Sequence, residues 1–337
     1  MKKILSLLLA LLLVGCSSSK PTPTETPSST VTPTVTPVVV ADPIDVKVTG
    51  LSGPTTMGLV KMMDDVDNGL ITSNNYEINI AKSPDELVPL VAKGEVDIAL
   101  LPSNLGANLF KQTKGNVQAL TINTLGVLYV VEKGNNINTI NDLEGKTLCA
   151  TGKGATPELS LNHVLSLNGL TDKVTLEFKS APNECIALMQ ADKNTISMLP
   201  EPFVTTALKG DEELRVALDL TKEWDAVETN SQIVTGITIV NTQFAKENPE
   251  AVKDFLTHYQ ESINYVNSDV ENGAKLVGKY NIVPEPIAKI AIPKANIVFI
   301  EGDEMKNTLS GYLQVLFDQN PKLVGGAMPT DEFYYAE

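Results

Sequence analysis

The sequence predicts an α/β protein with two lobes, each built on a mostly parallel sheet and joined by two β-rich crossovers. Short β-branched runs alternate with longer amphipathic stretches along most of the 337 residues, which is typical of βαβ units. Two longer β-rich segments, 120–132 and 232–241, interrupt this alternation. The part from residue 44 onward also suits two lobes better than one core, since domains usually contain about 100–200 residues.

The first α/β series precedes residue 120. Strands are predicted at 44–51, 76–81 and 96–101, and helices at 55–68, 84–93 and 104–114. The segment 120–132 is longer than the usual strand of about five or six residues. We therefore expect it to carry the chain into a second lobe.

The second series has the same order of elements. Strands are predicted at 147–150, 174–178 and 195–199, and helices at 157–167, 183–191 and 203–209. The return crossover is then 232–241, and the helical stretches 249–280 and 286–319 pack back on the first lobe. This assigns residues 44–124 and 236–337 to lobe 1 and residues 125–235 to lobe 2, with hinges near Thr124 to Leu128 and Thr235 to Thr238.

The N-terminus carries an export signal. Lys2 and Lys3 precede an apolar run that ends at Leu13-Val14-Gly15-Cys16. This run is shorter than the roughly 20 apolar residues of a membrane span, so residues 1–15 are predicted to be a signal peptide that is cleaved before Cys16. A diacylglycerol on Cys16 supplies two chains and hence a stable anchor on the extracytoplasmic face of the cell membrane.

Residues 16–43 form a spacer. The stretch is almost wholly Ser, Thr, Pro and Val, a composition that cannot bury a core. Proline-rich chains extend by about 3.1 Å per residue. We expect this tether to hold the folded part away from the membrane, with the lipid as its only membrane attachment.

The charge of the chain excludes one class of partner. The formal net charge is −15, and so acidic a protein is repelled by phosphate backbones. We therefore expect no nucleic-acid partner. Nothing in the sequence calls for a second subunit, and a monomer is expected.

Two cysteines remain if Cys16 is lipidated. Cys149 ends a predicted strand, and Cys185 lies at the start of a predicted helix in the same lobe. An oxidising compartment permits a disulfide between them. The sequence alone leaves this open and favours two separately buried thiols.

Four short motifs bring the chain close to a known group. They are Gly53-Pro54-Thr55-Thr56 after the first strand, Gly94-Glu95-Val96-Asp97-Ile98-Ala99, Asp142-Leu143-Glu144-Gly145-Lys146, and Leu199-Pro200-Glu201-Pro202. In order and spacing they resemble the SsuA/THI5-like group of type II periplasmic-binding-protein-like solute receptors. The resemblance covers about residues 44–335 and implies a clamp that delivers a small solute to the permease of an ABC-type importer. The first turn differs from better-known members, so the ligand is not carried over.

The candidate ligand site follows from this topology. In open α/β sheets, ligands lie beyond the carboxyl ends of the strands, where helix N-termini attract acceptors or anions. The predicted ligand-binding residues at these loops are Ser52, Gly53, Thr55, Thr56, Ser103, Asn104, Thr124, Gly154 and Thr156. The alternative is that Thr55, Ser103, Asn104 and Thr156 only cap helices.

Two further candidate ligand-binding residues, Glu201 and Trp224, lie outside these loops. Glu201 stands between two prolines, where its carboxylate can accept a hydrogen bond from the solute or serve the turn itself. Trp224, the single tryptophan, can stack on a planar ligand, although ordinary packing is the simpler interpretation. Arg215, the only arginine, is expected to be exposed. Because bidentate capture of acids is typically done by arginine, the sequence favours a neutral solute or an anion held by helix termini.

Enzymatic interpretations find little support. His163 and His258 fall in helical stretches of different lobes, so neither a zinc cluster nor a Cys/His dyad is indicated. The turn Gly152-Lys153-Gly154 lacks the continuation of a P-loop. We expect no catalytic residue, metal or cofactor. Two alternatives stay open: a binding-protein-like enzyme of menaquinone or thiamine-pyrimidine synthesis, and a surface sensory module.

Overall fold

The computed structural model describes residues 42–228 and 230–336. The predicted signal peptide, Cys16 and nearly all of the tether lie outside the described residues. The strands, numbered along the chain, are β1 Asp45–Leu51, β2 Asn75–Ala81, β3 Ile98–Pro102, β4 Val117–Leu125, β5 Leu128–Lys133, β6 Thr147–Ala150, β7 Thr175–Phe178, β8 Ile196–Pro200, β9 Leu214–Asp219, β10 Val234–Asn241 and β11 Ile297–Ile300.

The helices occupy most of the intervening segments. They are α1 Pro54–Met57, α2 Val60–Asp67, α3 Pro84–Lys93, α4 Ser103–Gln112, α5 Thr156–Leu167, α6 Pro182–Ala191, α7 Phe203–Gly210, α8 Leu220–Val227, α9 Thr242–Glu247, α10 Pro249–Ser268, α11 Val270–Lys279, α12 Glu285–Ala291 and α13 Gly302–Gln319. None of the helices in the described part is both long and apolar enough to cross a membrane.

Two sheets organise these elements and confirm the predicted α/β class. The first has six strands in the order β11-β4-β10-β3-β1-β2, and the second has five in the order β7-β6-β8-β5-β9. We call the first sheet with its helices lobe 1 and the second with its helices lobe 2. The chain passes to lobe 2 between Leu125 and Leu128, and it returns between Val227 and Val234.

The sheets are more mixed than the sequence suggested. Only the βαβ part of each lobe is parallel, namely β1 with β2 and β3, and β6 with β7 and β8. The other five strand pairs are antiparallel. The reason is the connectivity: β4 and β5 lie on either side of the first crossover, and β10 returns between β3 and β4, so these strands run against their neighbours.

Several elements differ from their predictions. The helix expected over 55–68 is divided into α1 and α2 at Gly58 and Leu59. Gly58 packs closely on Ile263, whose Cγ1 would lie 2.7 Å from a Cβ there. The segment 120–132 is β4 and β5, separated at Gly126. Strand β9, helix α8 and strand β11 were missed. The predicted hinge segment Thr235 to Thr238 forms part of strand β10 in the first sheet.

Arg215 is half-buried rather than fully exposed as expected, with 32% of its side chain accessible. This residue lies on edge strand β9, and its guanidinium bonds the Glu132 carboxylate and the Ile137 carbonyl oxygen. The Glu132 side chain is only 3% exposed, and it also accepts the Ile137 N–H at 3.0 Å. The acidic residues before Arg215 in the sequence suggested an exposed loop. In the structure Arg215 instead neutralises the buried Glu132 carboxylate.

The expectation of two separate thiols is also wrong. Cys149 and Cys185 form a disulfide with a Cα–Cα distance of 5.7 Å. The sheet order explains the meeting: β6 lies between β7 and β8, so α6, which connects β7 to β8, crosses over β6. Both sulfur atoms are buried within the apolar core of lobe 2.

Candidate functional site

Helix N-termini of both lobes meet at the lobe junction. Helices α1 and α4 begin at the carboxyl ends of β1 and β3, and α5 begins after β6. The Asn104 Nδ2, in lobe 1, donates to the Gly154 carbonyl oxygen, in lobe 2, at 3.4 Å. The structure therefore brings two of the predicted loops into contact.

The predicted residues after β1 belong to a tight polar cluster. The Thr55 and Thr56 hydroxyls donate to the Leu51 carbonyl oxygen at 3.0 and 2.6 Å. A Cβ on Gly236 would lie 2.5 Å from the Thr55 Cγ2 and 2.4 Å from the Asn123 Oδ1. Only a glycine in β10 allows these side chains to sit so close together.

The predicted residue Thr124 belongs to the same cluster. Its hydroxyl donates to the Asn123 Oδ1 at 2.9 Å, and the Asn123 Nδ2 in turn bonds the Thr238 hydroxyl at 3.2 Å. Ser52 and Gly53 complete the turn, and Ser52 is exposed. Asn123 was not predicted, and an alternating polar pattern at the end of a long strand was its only sequence signal.

The residues after β3 continue this polar surface. The Ser103 hydroxyl donates to the Val234 carbonyl oxygen at 2.6 Å, two residues before Gly236. Asn104 is 1% exposed, and its Oδ1 has no hydrogen-bond partner among the described residues. The surface therefore runs from Thr55 along β10 to an unsatisfied amide at the junction.

The capping alternative is wrong for these positions. The N-cap residues of α1, α4 and α5 are Gly53, Pro102 and Ala155, and none of these helices receives a side-chain cap bond. Thr55, Ser103, Asn104 and Thr156 lie inside the first turns instead. The Thr55 and Ser103 hydroxyls bond backbone carbonyl oxygens instead, and the Asn104 Nδ2 bonds that of Gly154.

The loop before α5 has two residues in the left-handed region. Gly152 and Gly154 have φ values of 75° and 72°, where glycine is favoured. The Gly154 N–H donates to the Glu158 carboxylate at 2.5 Å. Lys153 is exposed, and its ammonium lies 5.9 Å from the centre of the Phe178 ring.

Tyr312 is a junction residue that the sequence analysis missed. It is fully buried on α13 of lobe 1, and its hydroxyl lies 3.0 Å from the Ser160 hydroxyl on α5 of lobe 2. Burial raises the pKa of Tyr312 to about 12, and the hydroxyls of Ser160 and Thr156 oppose that shift. Its helical position gave no signal, because periodicity marks a buried face but not the partner it meets.

Trp224 has little free surface for a ligand. The indole is fully buried, and its Nε1 donates to the Ser231 carbonyl oxygen at 3.0 Å. Its ring centre lies 4.5 Å from that of His163 and 5.7 Å from that of Tyr312. This arrangement supports the packing interpretation.

Glu201 lies beside the first crossover. Its N–H donates to the Val127 carbonyl oxygen at 2.9 Å, and its carboxylate accepts the Thr205 hydroxyl at 3.0 Å and the Thr205 N–H at 3.2 Å. Burial raises the pKa of Glu201, while the bonds from Thr205 and the charge of Lys294 oppose the shift. The carboxylate is thus held by its own helix, and a structural role accounts for most of its bonding.

A small cavity of about 170 Å³ opens near this carboxylate. It lies between α7 of lobe 2 and the end of α12 in lobe 1, and it is lined by Thr205, Leu208, Lys209, Glu212, Ile290 and Lys294. The Tyr129 hydroxyl bridges the lobes here by donating to the Lys294 carbonyl oxygen at 3.2 Å.

The histidines take part in local contacts. His163 lies 3.4 Å from the Glu228 carboxylate, and burial lowers the pKa of His163. The His258 Nε2 lies 3.5 Å from the Asp254 carboxylate. Within residues 42–228 and 230–336, no three or more His, Cys, Asp or Glu side chains are arranged to hold a metal ion.

Comparison with solved structures gives the fold. An ABC transporter from Parabacteroides distasonis superposes with a TM-score of 0.72 at 24% identity, covering 87% of this chain and 99% of that chain. The periplasmic aliphatic sulphonate binding protein SsuA from Escherichia coli gives a TM-score of 0.69 at 15% identity, covering 87% and 92%. The periplasmic nitrate-binding protein NrtA from Synechocystis PCC 6803 gives 0.56 at 13% identity, covering 77% and 74%. These proteins have the type II periplasmic-binding-protein fold, which confirms that prediction.

Sequence comparison identifies the family. No curated protein sequence matches the chain. A family model described as NMT1/THI5 like matches residues 68–272, which is more than half of the chain. The resemblance drawn from the four motifs is thereby confirmed, and the chain belongs to the NMT1/THI5-like family.

Proposed function

We propose that this protein is the lipid-anchored solute receptor of an ABC-type importer, which captures a small molecule between its lobes and delivers it to a membrane permease. The observation that carries the proposal is the contact between Asn104 and Gly154. It supports the proposal because Asn104 and Gly154 stand at the starts of α4 and α5, in different lobes, and the buried Asn104 Oδ1 has no partner among the described residues. Solved relatives of the same fold include proteins named for binding sulfonate and nitrate.

The two lobes move as units that the sequence divides as 44–124 with 236–337 and 125–235, and that the sheets divide between Leu125 and Leu128 and between Val227 and Val234. A ligand can shift such an equilibrium only if it binds the closed form more tightly than the open one. The polar side chains of lobe 1 and the loop before α5 in lobe 2 would supply that difference. Solute would thus bridge both lobes, and the closed form would dock on the permease.

An enzyme of the same family is the main alternative. The described residues offer no metal cluster, and the two histidines are engaged by Glu228 and Asp254. Incubation of the pure protein with candidate metabolites should give no turnover. A sensory module is the other alternative, and a neighbouring permease and ATPase in the operon would argue against it.

The anchor is tested separately from the site. Replacing the predicted lipidated residue, Cys16→Ala, should leave an unprocessed or released protein, because the acyl chains are the only attachment that we propose. Fractionation with detergent phase separation reads this out. A mature-sized Cys16→Ala product that stays in the membrane would contradict the anchor.

The binding site is tested by mass spectrometry and calorimetry. Native mass spectrometry should detect a retained solute in protein purified without denaturation. Loss of one buried hydrogen-bond partner costs about 1–3 kcal/mol, so Thr56→Ala and Asn104→Ala should weaken binding about five- to hundredfold. Thr257→Ala is the matched control, because that exposed hydroxyl also donates to a backbone carbonyl, of Lys253, but far from the junction. Full affinity in both site variants would place the solute elsewhere.

A further inference from the structure

We propose that the solute is a neutral molecule that presents N–H or O–H donors, rather than a sulfonate, nitrate or similar anion. The inference rests on the proposed function and concerns the same site. It departs from the sulfonate and nitrate that appear in the names of structural neighbours.

Asn104 has a buried amide oxygen that no described residue binds. Its Nδ2 already donates across the junction to Gly154, and its Oδ1 has no partner within the described part of the chain although the residue is 1% exposed. A buried acceptor without a partner is costly. A donor on the solute would satisfy it, whereas an anion would bring a second set of lone pairs against it.

Two buried hydroxyl oxygens lie where the chain enters β10. The oxygens of Ser231 and Thr235 also lack partners among residues 42–228 and 230–336. Thr235 directly follows Val234, whose carbonyl oxygen binds Ser103. A Cβ on Gly311 would lie 3.6 Å from the Ser231 Cβ, which places Ser231 beside the turn of α13 that carries Tyr312. A hydroxyl both donates and accepts, so these two oxygens fit a neutral group or an anion, and the preference for a donor rests on the Asn104 acceptor.

The cationic side chains described near the junction have other partners, so a buried anion there would depend on helix N-termini and hydroxyls alone. A buried anion needs a compensating cation or a full set of donors. The sole arginine is half-buried on the edge of lobe 2, where it is bonded to Glu132 and Ile137. The lysine of the α5 loop, Lys153, is exposed and lies over Phe178, and Lys294 acts on the buried Glu201.

Matched probe pairs test the inference. Propane-1-sulfonamide and propane-1-sulfonate share a shape, but only the sulfonamide is neutral and has N–H donors; urea and nitrate form a second planar pair. Dissociation constants from saturation-transfer NMR at constant ionic strength should be about tenfold or more lower for the neutral member of each pair. Equal or tighter binding of the anions overturns the inference and leaves solute capture intact. Binding of neither class counts against both proposals.

An isosteric variant assigns the preference to this surface. Thr235→Val removes an unpartnered hydroxyl, so the free protein should melt at the same or a higher temperature, while affinity for propane-1-sulfonamide falls about fivefold or more. Thr121→Val is the control, since that buried hydroxyl is also unpartnered among described residues but lies within β4, away from the junction. Equal affinity loss in both variants, or none in Thr235→Val, would remove the assignment.

Discussion

The Tyr312 hydroxyl of lobe 1 lies 3.0 Å from the Ser160 hydroxyl of lobe 2. The Tyr312 ring also packs on Trp224, which is 0% exposed. Parting the lobes at this point would break the hydroxyl pair and admit solvent to the indole. If the lobes close around solute as proposed, this contact would link their closure to the burial of the single tryptophan.

Loosening this contact should be visible in fluorescence. Tyr312→Phe removes one hydrogen bond of about 1 kcal/mol, so the ratio of open to closed molecules should rise about fivefold. Acrylamide quenching of Trp224 measures the change, because no other tryptophan contributes. Tyr280→Phe is the control, since that hydroxyl bonds Asp67 on lobe 1 away from the junction. Unchanged quenching in Tyr312→Phe would mean that the lobes do not part there.

The disulfide should contribute substantially to stability. Replacing Cys149 and Cys185 together by serine opens a loop with a sequence separation of 36 residues, and the free energy of unfolding should fall by about 2–4 kcal/mol. Urea denaturation gives the value. A reducing agent should destabilise the wild type by a similar amount and leave the double variant unaffected; a reductant effect on the double variant would contradict this origin.

Gly236 should be intolerant of a side chain. In Gly236→Ala the new Cβ would meet the Thr55 Cγ2 at 2.5 Å and the Asn123 Oδ1 at 2.4 Å, and overpacking of this kind costs about 1–3 kcal/mol. Gly210→Ala is the matched control, because its Cβ would meet only the Gln190 Nε2 at 3.4 Å at the end of a helix. Its free energy of unfolding should be unchanged or higher. Equal stability of the two variants would show that β10 can shift to make room.

Glu201 should make stability depend on pH with a defined sign. Burial raises the pKa of Glu201 from its ordinary 4.5, so its contribution to stability is fully present below that value and is lost as the pH rises through the raised pKa. Glu201→Gln stays neutral throughout. The free energy of unfolding of the wild type minus that of the variant should therefore decrease as the pH rises above 4.5 toward neutrality. A flat difference, or a similar trend in the exposed Glu332→Gln, would contradict this.

Local elements of this fold could be predicted from the sequence. The helix over 84–93 has its predicted bounds, because Pro84 starts it and Gly94 ends it in the left-handed region with φ of 72°. The strand 147–150 is likewise as predicted. Proline and glycine start or end helices through local backbone geometry. That geometry involves only a few neighbouring residues, so it can be recognised in a single sequence.

The features that could not be predicted depend on contacts between residues that are far apart along the chain. Cys149 pairs with Cys185 because α6 crosses over β6. Tyr312 contacts Ser160 because its helix, more than 140 residues further along the chain, packs against α5 at the lobe junction. The rule that ligands lie beyond the carboxyl ends of strands nevertheless pointed to Asn104 and Gly154, because it depends on topology rather than on distance along the chain. It could not show that Asn104 keeps one oxygen unsatisfied.

The position of β10 between β3 and β4 has a consequence for the order of folding. Strands β1 to β3 can pair among themselves early, but β3 and β4 touch only through β10, which begins at Val234. The strands of lobe 2, from Leu128 to Asp219, are by contrast continuous in the chain. Lobe 2 can therefore form its sheet before β10, the strand between β3 and β4 of lobe 1, has been reached along the chain. The pairing of β10 with β3 and β4 joins residues far apart in sequence, and such contacts slow folding. Until β10 pairs with it, β3 has an unpaired edge, and such an edge is open to pairing with another chain.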